Sequence, residues 1–290
     1  MKIQTISLCA GEGECPRHCP YCVARATGKR EFDDMPDYLS PKVQKALRLA
    51  ELCGVSTALI TGKGEPLYGD KAYRHTFQYL DDLHSFRIPF IEIQTSGYGL
   101  DNDTLSRLAE KGVTTVAISC VSDSLSKNRE IYGDDYEDPF EIARRIHDCG
   151  MMVRLCCSMC NGYVESPESV SHLIQSCACS GIEQLSFVPV RTVEAAENVG
   201  VREWAHKHEI NSGTMEFIYD KIRHRGEKLM TLMHGGEVYD VDGVSVCIRY
   251  CLTNDADSDA LRQVIVYPNG DTRYSWTSGA AKLIRGDSND

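Results

Sequence analysis

The sequence lacks the features that mark membrane, secreted and nucleic-acid-wrapping proteins. No stretch approaches the roughly 20 consecutive apolar residues that a membrane-spanning helix needs, and the N-terminus, with one Lys and a short apolar run, does not match a secretory signal. Basic residues are in the minority, with 31 Lys and Arg against 42 Asp and Glu, whereas binding along nucleic acid needs a basic stripe. With 42% hydrophobic and 25% charged residues in a chain of 290, the composition predicts a cytoplasmic, globular protein of enzyme size.

Cysteine, by contrast, is abundant. The chain has 14 cysteines without a secretory signal, which favours metal or redox use of thiols over a disulfide framework. The grouped cysteines are Cys15, Cys19 and Cys22; Cys156, Cys157 and Cys160; Cys177 and Cys179; and Cys247 and Cys251. We interpret Cys156, Cys157 and the isolated cysteines as small packing residues, because a free Cys behaves as a small hydrophobe in a core.

One unit recurs along the first two thirds of the chain: a capped helix, a Gly that ends it, and a short apolar strand. The predicted helix starts are Ser40-Pro41, Asp103, Asp138-Pro139 and Ser166-Pro167, and the predicted strands are residues 3–8, 57–60, 90–94, 114–118, 151–155 and 185–188. Alternating helices and apolar strands imply βαβ crossovers and a parallel sheet. Six strands favour a partial (β/α)6 barrel in an α/β fold, because a closed barrel needs two more units.

Beyond Arg191 the pattern changes. Residues 202–233 are predicted to be helical and amphipathic, and Val264–Tyr274 is predicted to form a hairpin about Pro268-Asn269-Gly270-Asp271. We therefore predict a barrel core at residues 1–191 and a C-terminal helical and hairpin extension at residues 192–290. The acidic residues from Asp134 to Asp138 are interpreted as a solvated run before a helix, with a cationic substrate as the alternative.

The sharpest signal is the spacing C-x3-C-x2-C at Cys15, Cys19 and Cys22, in a loop directly after the first predicted strand. Three thiolates suit a [4Fe–4S] cluster that leaves one iron without a protein ligand, and an open metal position can bind a substrate or cofactor. Barrel chemistry also takes place at the C-terminal ends of strands. The alternative is a zinc site that adds Cys9 or His18, although no second C-x2-C lies at the spacing of a zinc ribbon.

The triplet, with Tyr21 directly before its last cysteine, resembles the motif of the radical S-adenosylmethionine (radical SAM) superfamily. The resemblance implies that the open iron of a [4Fe–4S] cluster binds SAM. Reductive cleavage then gives a 5′-deoxyadenosyl radical, which abstracts hydrogen from a substrate. It also implies a reducing partner such as flavodoxin or ferredoxin, and a place for Tyr21 at the cofactor.

Further segments follow the order of that family between residues 3 and 191. Residues 61–66 resemble the family's glycine–glycine–glutamate segment, which holds the SAM amino group, with Lys63 between the glycines as a departure. A Gly lets the backbone approach a ligand, and Glu65 offers an acceptor to an ammonium group. The resemblance implies SAM contacts at Gly62, Gly64 and Glu65, at Thr95 and Ser96 after the third strand, at Ser119 after the fourth, at Arg154 and Asn161 in and after the fifth, and at Val188 in the sixth.

Cys247 and Cys251 carry three alternatives. They resemble the edge of the auxiliary-cluster extensions of some radical SAM enzymes, although those extensions place most cysteines downstream and no Cys follows Cys251. They also resemble the late cysteine of short radical SAM epimerases of the neomycin-epimerase kind, where a thiol donates hydrogen to a substrate radical. The third alternative is a pair of buried structural thiols.

The predicted function is that of a radical SAM enzyme acting on a C–H bond of a polar organic substrate. An amino sugar or similar metabolite is favoured over RNA because the chain is acidic, and an epimerase with Cys247 or Cys251 as donor is one form of this prediction. The alternative substrate is a peptide, although no precursor-binding domain is expected before the first strand. A zinc-binding or redox-sensing module is the alternative from another class.

Overall fold

A computed structural model of the protein describes residues 2–11, 13–26, 35–194, 196–232, 235–248, 260–276 and 281–287. In chain order, the elements are β1 (Lys2–Cys9), α1 (Val23–Ala26), α2 (Lys42–Leu52), β2 (Thr57–Thr61), α3 (Asp70–Leu83), β3 (Phe90–Thr95), α4 (Asn102–Glu110), β4 (Thr115–Cys120), α5 (Leu125–Tyr132), α6 (Pro139–Asp148), β5 (Met152–Met159), α7 (Pro167–Cys179), β6 (Gln184–Pro189), α8 (Val199–His208), α9 (Ser212–Arg225), β7 (Glu227–Thr231), β8 (Glu237–Val241), β9 (Val244–Ile248), β10 (Ala260–Val266), β11 (Thr272–Arg273) and β12 (Lys282–Ile284). Among the described helices, none has the length and apolar character needed to cross a membrane.

The chain divides into two compact units. The first comprises Met1–Pro16, Lys29–Val116 and Asn254–Asp290, and the second comprises Arg17–Gly28 and Ala117–Thr253. The chain therefore passes from one unit to the other within β4. It also does so within the loop that carries Cys15, Cys19 and Cys22, here called the cysteine loop. The predicted boundary at residue 191 stays a prediction.

The first unit contains parallel strands in the spatial order β10, β1, β2 and β3. β11 and β12 continue this order on the side of β10 as antiparallel strands. Its strand interiors are apolar, with Ile6, Leu8, Ile60 and Ile93 fully buried. β10 and β11 form the hairpin predicted at residues 264–274, but the parallel pairing of β10 with β1 was not predicted.

The second unit contains the strand order β5, β6, β9, β8 and β7. β5, β6 and β9 are parallel, and β8 and β7 are antiparallel to their neighbours. The prediction that residues 202–233 are helical is confirmed in α8 and α9. It is wrong for residues 227–231, because α9 ends at Arg225 and β7 follows. A Cβ at Gly226 would lie 2.9 Å from the Asp240 carbonyl oxygen, so the chain needs glycine where it meets β8.

Local signals determine several helix starts. Asp138 and Ser166 cap α6 and α7 as predicted, each accepting a backbone N–H of the first turn. The predicted cap at Asp103 is wrong, because Asp101 accepts the Thr104 N–H at 2.7 Å and Asp103 lies inside the first turn of α4. An acidic residue is also favourable there, beside the positive end of the helix dipole.

All six predicted barrel strands are present, with shifted ends. β4 runs to Cys120 and β5 to Met159, which is longer than predicted in both cases. Ser119 therefore lies inside β4 and not after it.

Candidate functional site

The glycine–glutamate segment after β2 lies directly against the start of the cysteine loop. The Glu65 N–H donates to the Glu14 carbonyl at 2.9 Å. A Cβ on Gly64 would overlap that same carbonyl and would lie 2.8 Å from the carbonyl carbon of Gly13. Gly62 is similarly close to β1, because its Cβ would lie 3.0 Å from the Ala10 carbonyl oxygen. Close backbone approach within the first unit therefore requires glycine at position 64 and leaves little room for a Cβ at position 62.

The Glu65 carboxylate joins this segment to the end of β3. One of its oxygens accepts the Thr95 hydroxyl at 2.7 Å, and the other accepts the Ser96 hydroxyl at 2.7 Å and the Ser96 N–H at 2.8 Å. The side chain is 3% exposed. Burial raises the pKa of the Glu65 carboxyl, and the hydrogen bonds from Ser96 and Thr95 oppose that shift. Gly64, Glu65, Thr95 and Ser96 are thus brought together, with the carboxylate acting as a brace between strand ends.

The cysteine loop combines half-buried thiols with a tight turn. Cys15, Cys19 and Cys22 are all half-buried, and the Cys22 N–H donates to the Cys19 carbonyl at 3.1 Å. Arg25 Nη1 also binds the loop, donating to the His18 carbonyl at 2.9 Å. Among the described residues, no three His, Cys, Asp or Glu side chains are arranged to hold a single metal ion. A [4Fe–4S] cluster does not require that arrangement, because each thiolate binds a different iron. The donor set therefore fits a cluster.

The zinc alternative finds less support. Cys9 is fully buried in an apolar cluster with Met35, Ile265 and Tyr267, and His18 is exposed. A structural zinc ion needs four ligands around one point. Cys9 lies in apolar surroundings that disfavour a thiolate, so it is a poor candidate for the fourth ligand.

Tyr21, between the last two cysteines of the loop, is held by other aromatic residues of the second unit. Its hydroxyl lies 2.8 Å from the Tyr132 hydroxyl, and its ring centroid lies 5.5 Å from that of Trp204. Burial raises the pKa of Tyr21 well above its ordinary value, with Cys19 adding to the shift and hydrogen bonds with Ser158 and Tyr132 opposing it. The loop aromatic therefore has a fixed position.

The remaining predicted SAM contacts lie on three strands and one strand end. Ser119 and Val188 are half-buried, within β4 and β6 respectively. Arg154 lies near the start of β5, where its Nε and Nη2 donate to Gln184 Oε1 at 2.9 and 2.6 Å. Its guanidinium is thus bound at the N-terminal end of β6, whereas Val188 lies near the other end of that strand.

Asn161 belongs to a hydrogen-bonded node that the sequence did not indicate. Its Nδ2 donates to the Glu209 carbonyl oxygen at 2.9 Å. The Glu209 carboxylate accepts from Arg191 Nη1 at 2.8 Å and from the Thr192 N–H and hydroxyl at 3.0 and 2.8 Å. This node fixes the link between α8 and α9 to the ends of β5 and β6. No local sequence motif predicts these hydrogen bonds, because Asn161 and Glu209 are 48 positions apart.

The sheet of the second unit has one polar and one apolar face. Alternate residues share a face of a strand. The polar face consists of Arg154, Cys156 and Ser158 on β5, Gln184, Ser186 and Val188 on β6, and Ser245 and Cys247 on β9. The intervening residues are buried, including Leu155, Phe187 and Val246 at 0% exposure. Pairing places Cys156, Ser186 and Cys247 in one row across three strands.

The other grouped cysteines lie in different surroundings. Cys160 is fully buried, and burial raises its pKa to about 12. Cys177 is buried and Cys179 exposed, so they lie on different faces of α7, as expected from their spacing. Cys251 lies outside the described residues. The 13 described cysteines include none in a disulfide.

We predict that Glu65→Ala lowers the free energy of unfolding by about 1–3 kcal/mol, because three buried donors lose their acceptor. Urea unfolding followed by circular dichroism measures the change. Glu110→Ala, an exposed change near the end of α4, is the control and should have little effect. If Glu65→Ala were as stable as the wild type, the hydrogen bonds of the Glu65 carboxylate with Thr95 and Ser96 would not stabilise the fold, contrary to this prediction.

The Glu209 node predicts a pH-dependent stability. Burial alone would raise the pKa of Glu209, but the hydrogen bonds from Arg191 and Thr192 outweigh it and hold the pKa below its ordinary value. A carboxyl with a lowered pKa in the folded state contributes stability above its unfolded pKa, about 4.3, and loses it as the pH falls through the folded value.

Glu209→Gln should therefore be less stable than the wild type at neutral pH, by about 1 kcal/mol for a partly exposed carboxylate. The difference should shrink as the pH falls below about 4. Urea unfolding across this range measures it, with the exposed Glu216→Gln on α9 as control. If Glu209→Gln were less stable than the wild type by the same amount in acid as at neutral pH, the lowered pKa of Glu209 would be refuted.

Comparison with known proteins agrees with this geometry. Residues 13–177, more than half of the chain, match the family description "Radical SAM superfamily". No curated protein sequence matches the chain.

Three solved proteins share the fold. SuiB of Streptococcus suis bound to S-adenosylmethionine has 16% identity and a TM-score of 0.65 over 97% of this chain. anSMEcpe with bound AdoMet and Cp18Cys peptide has 12% identity and a TM-score of 0.57, covering 96% of this chain and 75% of that one. A radical SAM methyltransferase from Sphaerobacter thermophilus has 16% identity and a TM-score of 0.54, covering 85% of this chain and 66% of that one. The chain spans 63% of the length of SuiB.

These similarities confirm the predicted α/β fold with a partial radical SAM barrel. The family match also confirms the predictions of an enzyme and of a [4Fe–4S] cluster and SAM as its cofactors, and it removes the support for a zinc module without radical chemistry. The chain belongs to the radical SAM superfamily.

Proposed function

We propose that the protein abstracts a hydrogen atom from a C–H bond of a polar substrate and returns one from the Cys247 thiol, as a radical SAM epimerase does. The position of Cys247 carries this proposal. It lies on the polar face of β9, beside Ser186, and is 7% exposed. Cys156, in the same row across the sheet, is also 7% exposed, whereas Cys160 and Cys177 are at 0% exposure. A thiol at a polar sheet face has hydrogen-bonding groups around it that could orient a polar substrate.

Cys15, Cys19 and Cys22 are the residues that would hold the cluster. Tyr21, Gly62, Gly64, Glu65, Thr95, Ser96, Ser119, Arg154, Asn161 and Val188 remain the proposed contacts of SAM. The support differs among them. Gly64 and Glu65 lie beside the start of the cysteine loop, and Glu65 orders Thr95 and Ser96. Arg154 has the least support, because its guanidinium is bound to Gln184.

When bound, the cluster and SAM supply one-electron cleavage of SAM to methionine and a 5′-deoxyadenosyl radical, which takes a substrate hydrogen atom. The protein's residues then have two tasks. Polar side chains on the polar face orient the substrate, and Cys247 gives its S–H hydrogen atom to the carbon that lost one. The resulting thiyl radical requires one electron and one proton to return to the thiol. We propose a flavodoxin- or ferredoxin-like partner as the electron source.

A peptide is the second candidate substrate. SuiB has also been solved with precursor peptide SuiA, and that structure matches 97% of this chain with a TM-score of 0.64. anSMEcpe likewise holds a peptide. Two structural neighbours with bound peptides favour a peptide over RNA, as the acidic charge of this chain does.

The first test is electron paramagnetic resonance of the anaerobically reconstituted and reduced protein, with and without SAM. We expect a [4Fe–4S]⁺ signal whose g-values shift when SAM is added, because SAM binds at the open iron. Replacing Cys15, Cys19 or Cys22 with Ala should remove the signal, whereas the exposed Cys179→Ala control should keep it. A normal signal in any of the three loop variants would refute that residue as a ligand.

The donor is tested by turnover in D₂O. Thiol hydrogens exchange with solvent, so donation from Cys247 should add one deuterium to the product carbon. Amino sugars and peptides are supplied as candidate substrates, and mass spectrometry measures product mass and 5′-deoxyadenosine. Cys247→Ala should still form 5′-deoxyadenosine but lose deuterated product, with Cys179→Ala as control. Full deuterated product from Cys247→Ala would refute this donor and leave Cys251→Ala as the next variant.

A further inference from the structure

The turn that follows α5 binds the cysteine loop through Arg17. Arg17, which stands between Cys15 and Cys19, is 5% exposed. Its Nη1 donates to the Tyr132 carbonyl oxygen at 3.2 Å and forms an ion pair with Asp135. A buried guanidinium with a carbonyl and a carboxylate as acceptors is strongly positioned, because charge-assisted hydrogen bonds are stronger than neutral ones.

The same turn also binds the loop through Tyr21. The Tyr21 and Tyr132 hydroxyls are 2.8 Å apart, so a second contact holds the residue between Cys19 and Cys22. The rings of Tyr132 and Tyr136 are stacked with centroids 4.8 Å apart. Arg17 completes the group, with its Cζ 5.7 Å from the Tyr136 centroid. The turn therefore fixes the loop at two places: at Arg17, between Cys15 and Cys19, and at Tyr21, between Cys19 and Cys22.

A third contact ties this turn to β4. The Tyr136 hydroxyl donates to the Ser119 carbonyl oxygen at 2.6 Å. The turn itself is tight, because Gly133 has a φ of 103° and its carbonyl accepts the Tyr136 N–H at 3.0 Å. Glycine adopts that φ without strain. The turn is thus a defined support between a strand and the cysteine loop.

We propose that Tyr132 and Asp135 are positioning residues that hold the cysteine loop in the conformation that binds the cluster and SAM. Asp135 orients Arg17, and the Tyr132 hydroxyl orients Tyr21. Asp135 is exposed, as expected for a solvated acidic run, and it also pairs with the buried Arg17 of the loop. This proposal rests on the proposed role of Cys15, Cys19 and Cys22 as cluster ligands.

The test uses reconstituted protein with Tyr132→Phe, which removes the hydroxyl that meets Tyr21, and Asp135→Asn, which removes the charge that pairs with Arg17. Both variants keep the size of the side chain. Tyr163→Phe is the matched control, because its ring packs in the same aromatic cluster while its hydroxyl lies 3.3 Å from Glu130 and not at the loop. The measurements are the SAM dissociation constant, the rate of iron release to a ferrous chelator, the cluster midpoint potential, and the melting temperature of the protein without cluster.

Tyr132→Phe and Asp135→Asn should each raise the SAM dissociation constant and the rate of iron release by roughly 2- to 10-fold, the range that one hydrogen bond supplies. They should also shift the midpoint potential, which depends on the hydrogen bonds and charges around a cluster. Tyr163→Phe should leave all three unchanged. A melting temperature equal to that of the control would show that the changes are confined to the loop.

Wild-type values in both variants, with a normal SAM-dependent signal in the wild type, would overturn the positioning role and leave the proposed function intact. Failure of the wild type itself to bind a cluster would instead refute the proposed function. If Tyr132→Phe does not fold, Asp135→Asn decides, since its side chain is 67% exposed and its replacement should not disturb the core.

Discussion

The close approach of Gly64 to Glu14 is the contact on which the first unit's part of the site depends. A side chain at Gly64 would occupy the space of the Glu14 carbonyl, which instead accepts the Glu65 N–H. With the backbone held there, the Glu65 carboxylate reaches Thr95 and Ser96 at the end of β3. Because Gly64 has no Cβ, the segments that follow β1, β2 and β3 can contact one another before any cofactor binds.

The sequence predicted the residues of this arrangement better than their contacts. Gly64 and Glu65 stood in a recognisable local motif, and the contact of the carboxylate with an ammonium group stays a prediction. The donors that bind the carboxylate, 30 and 31 positions away, had no local signal. Arg17 and Asp135 are 118 positions apart, and nothing local to either indicates the pair. Short-range signals identify functional residues, whereas long-range partners depend on how the strands are placed.

The fold shows the same division between local and distant signals. The caps at Asp138 and Ser166 were predictable because each satisfies an N–H within its own first turn. The error at residues 227–231 arose because every residue of β7 is exposed and the strand has no apolar alternation to mark it. A stop signal was nevertheless present at Gly226, after the basic last turn of α9.

Environment determines which of the many cysteines can take part in chemistry. The thiolate is the reactive form, and burial in apolar surroundings disfavours it. Burial raises the pKa of Cys157 and Cys177 well above the ordinary value, so these thiols act as packing residues. The loop cysteines are half-buried, and Cys247 lies on a polar face. A hydrogen-atom donor needs an S–H group beside its substrate, so a thiol at a polar face suits the proposed donation, while the half-buried loop suits the proposed cluster ligands.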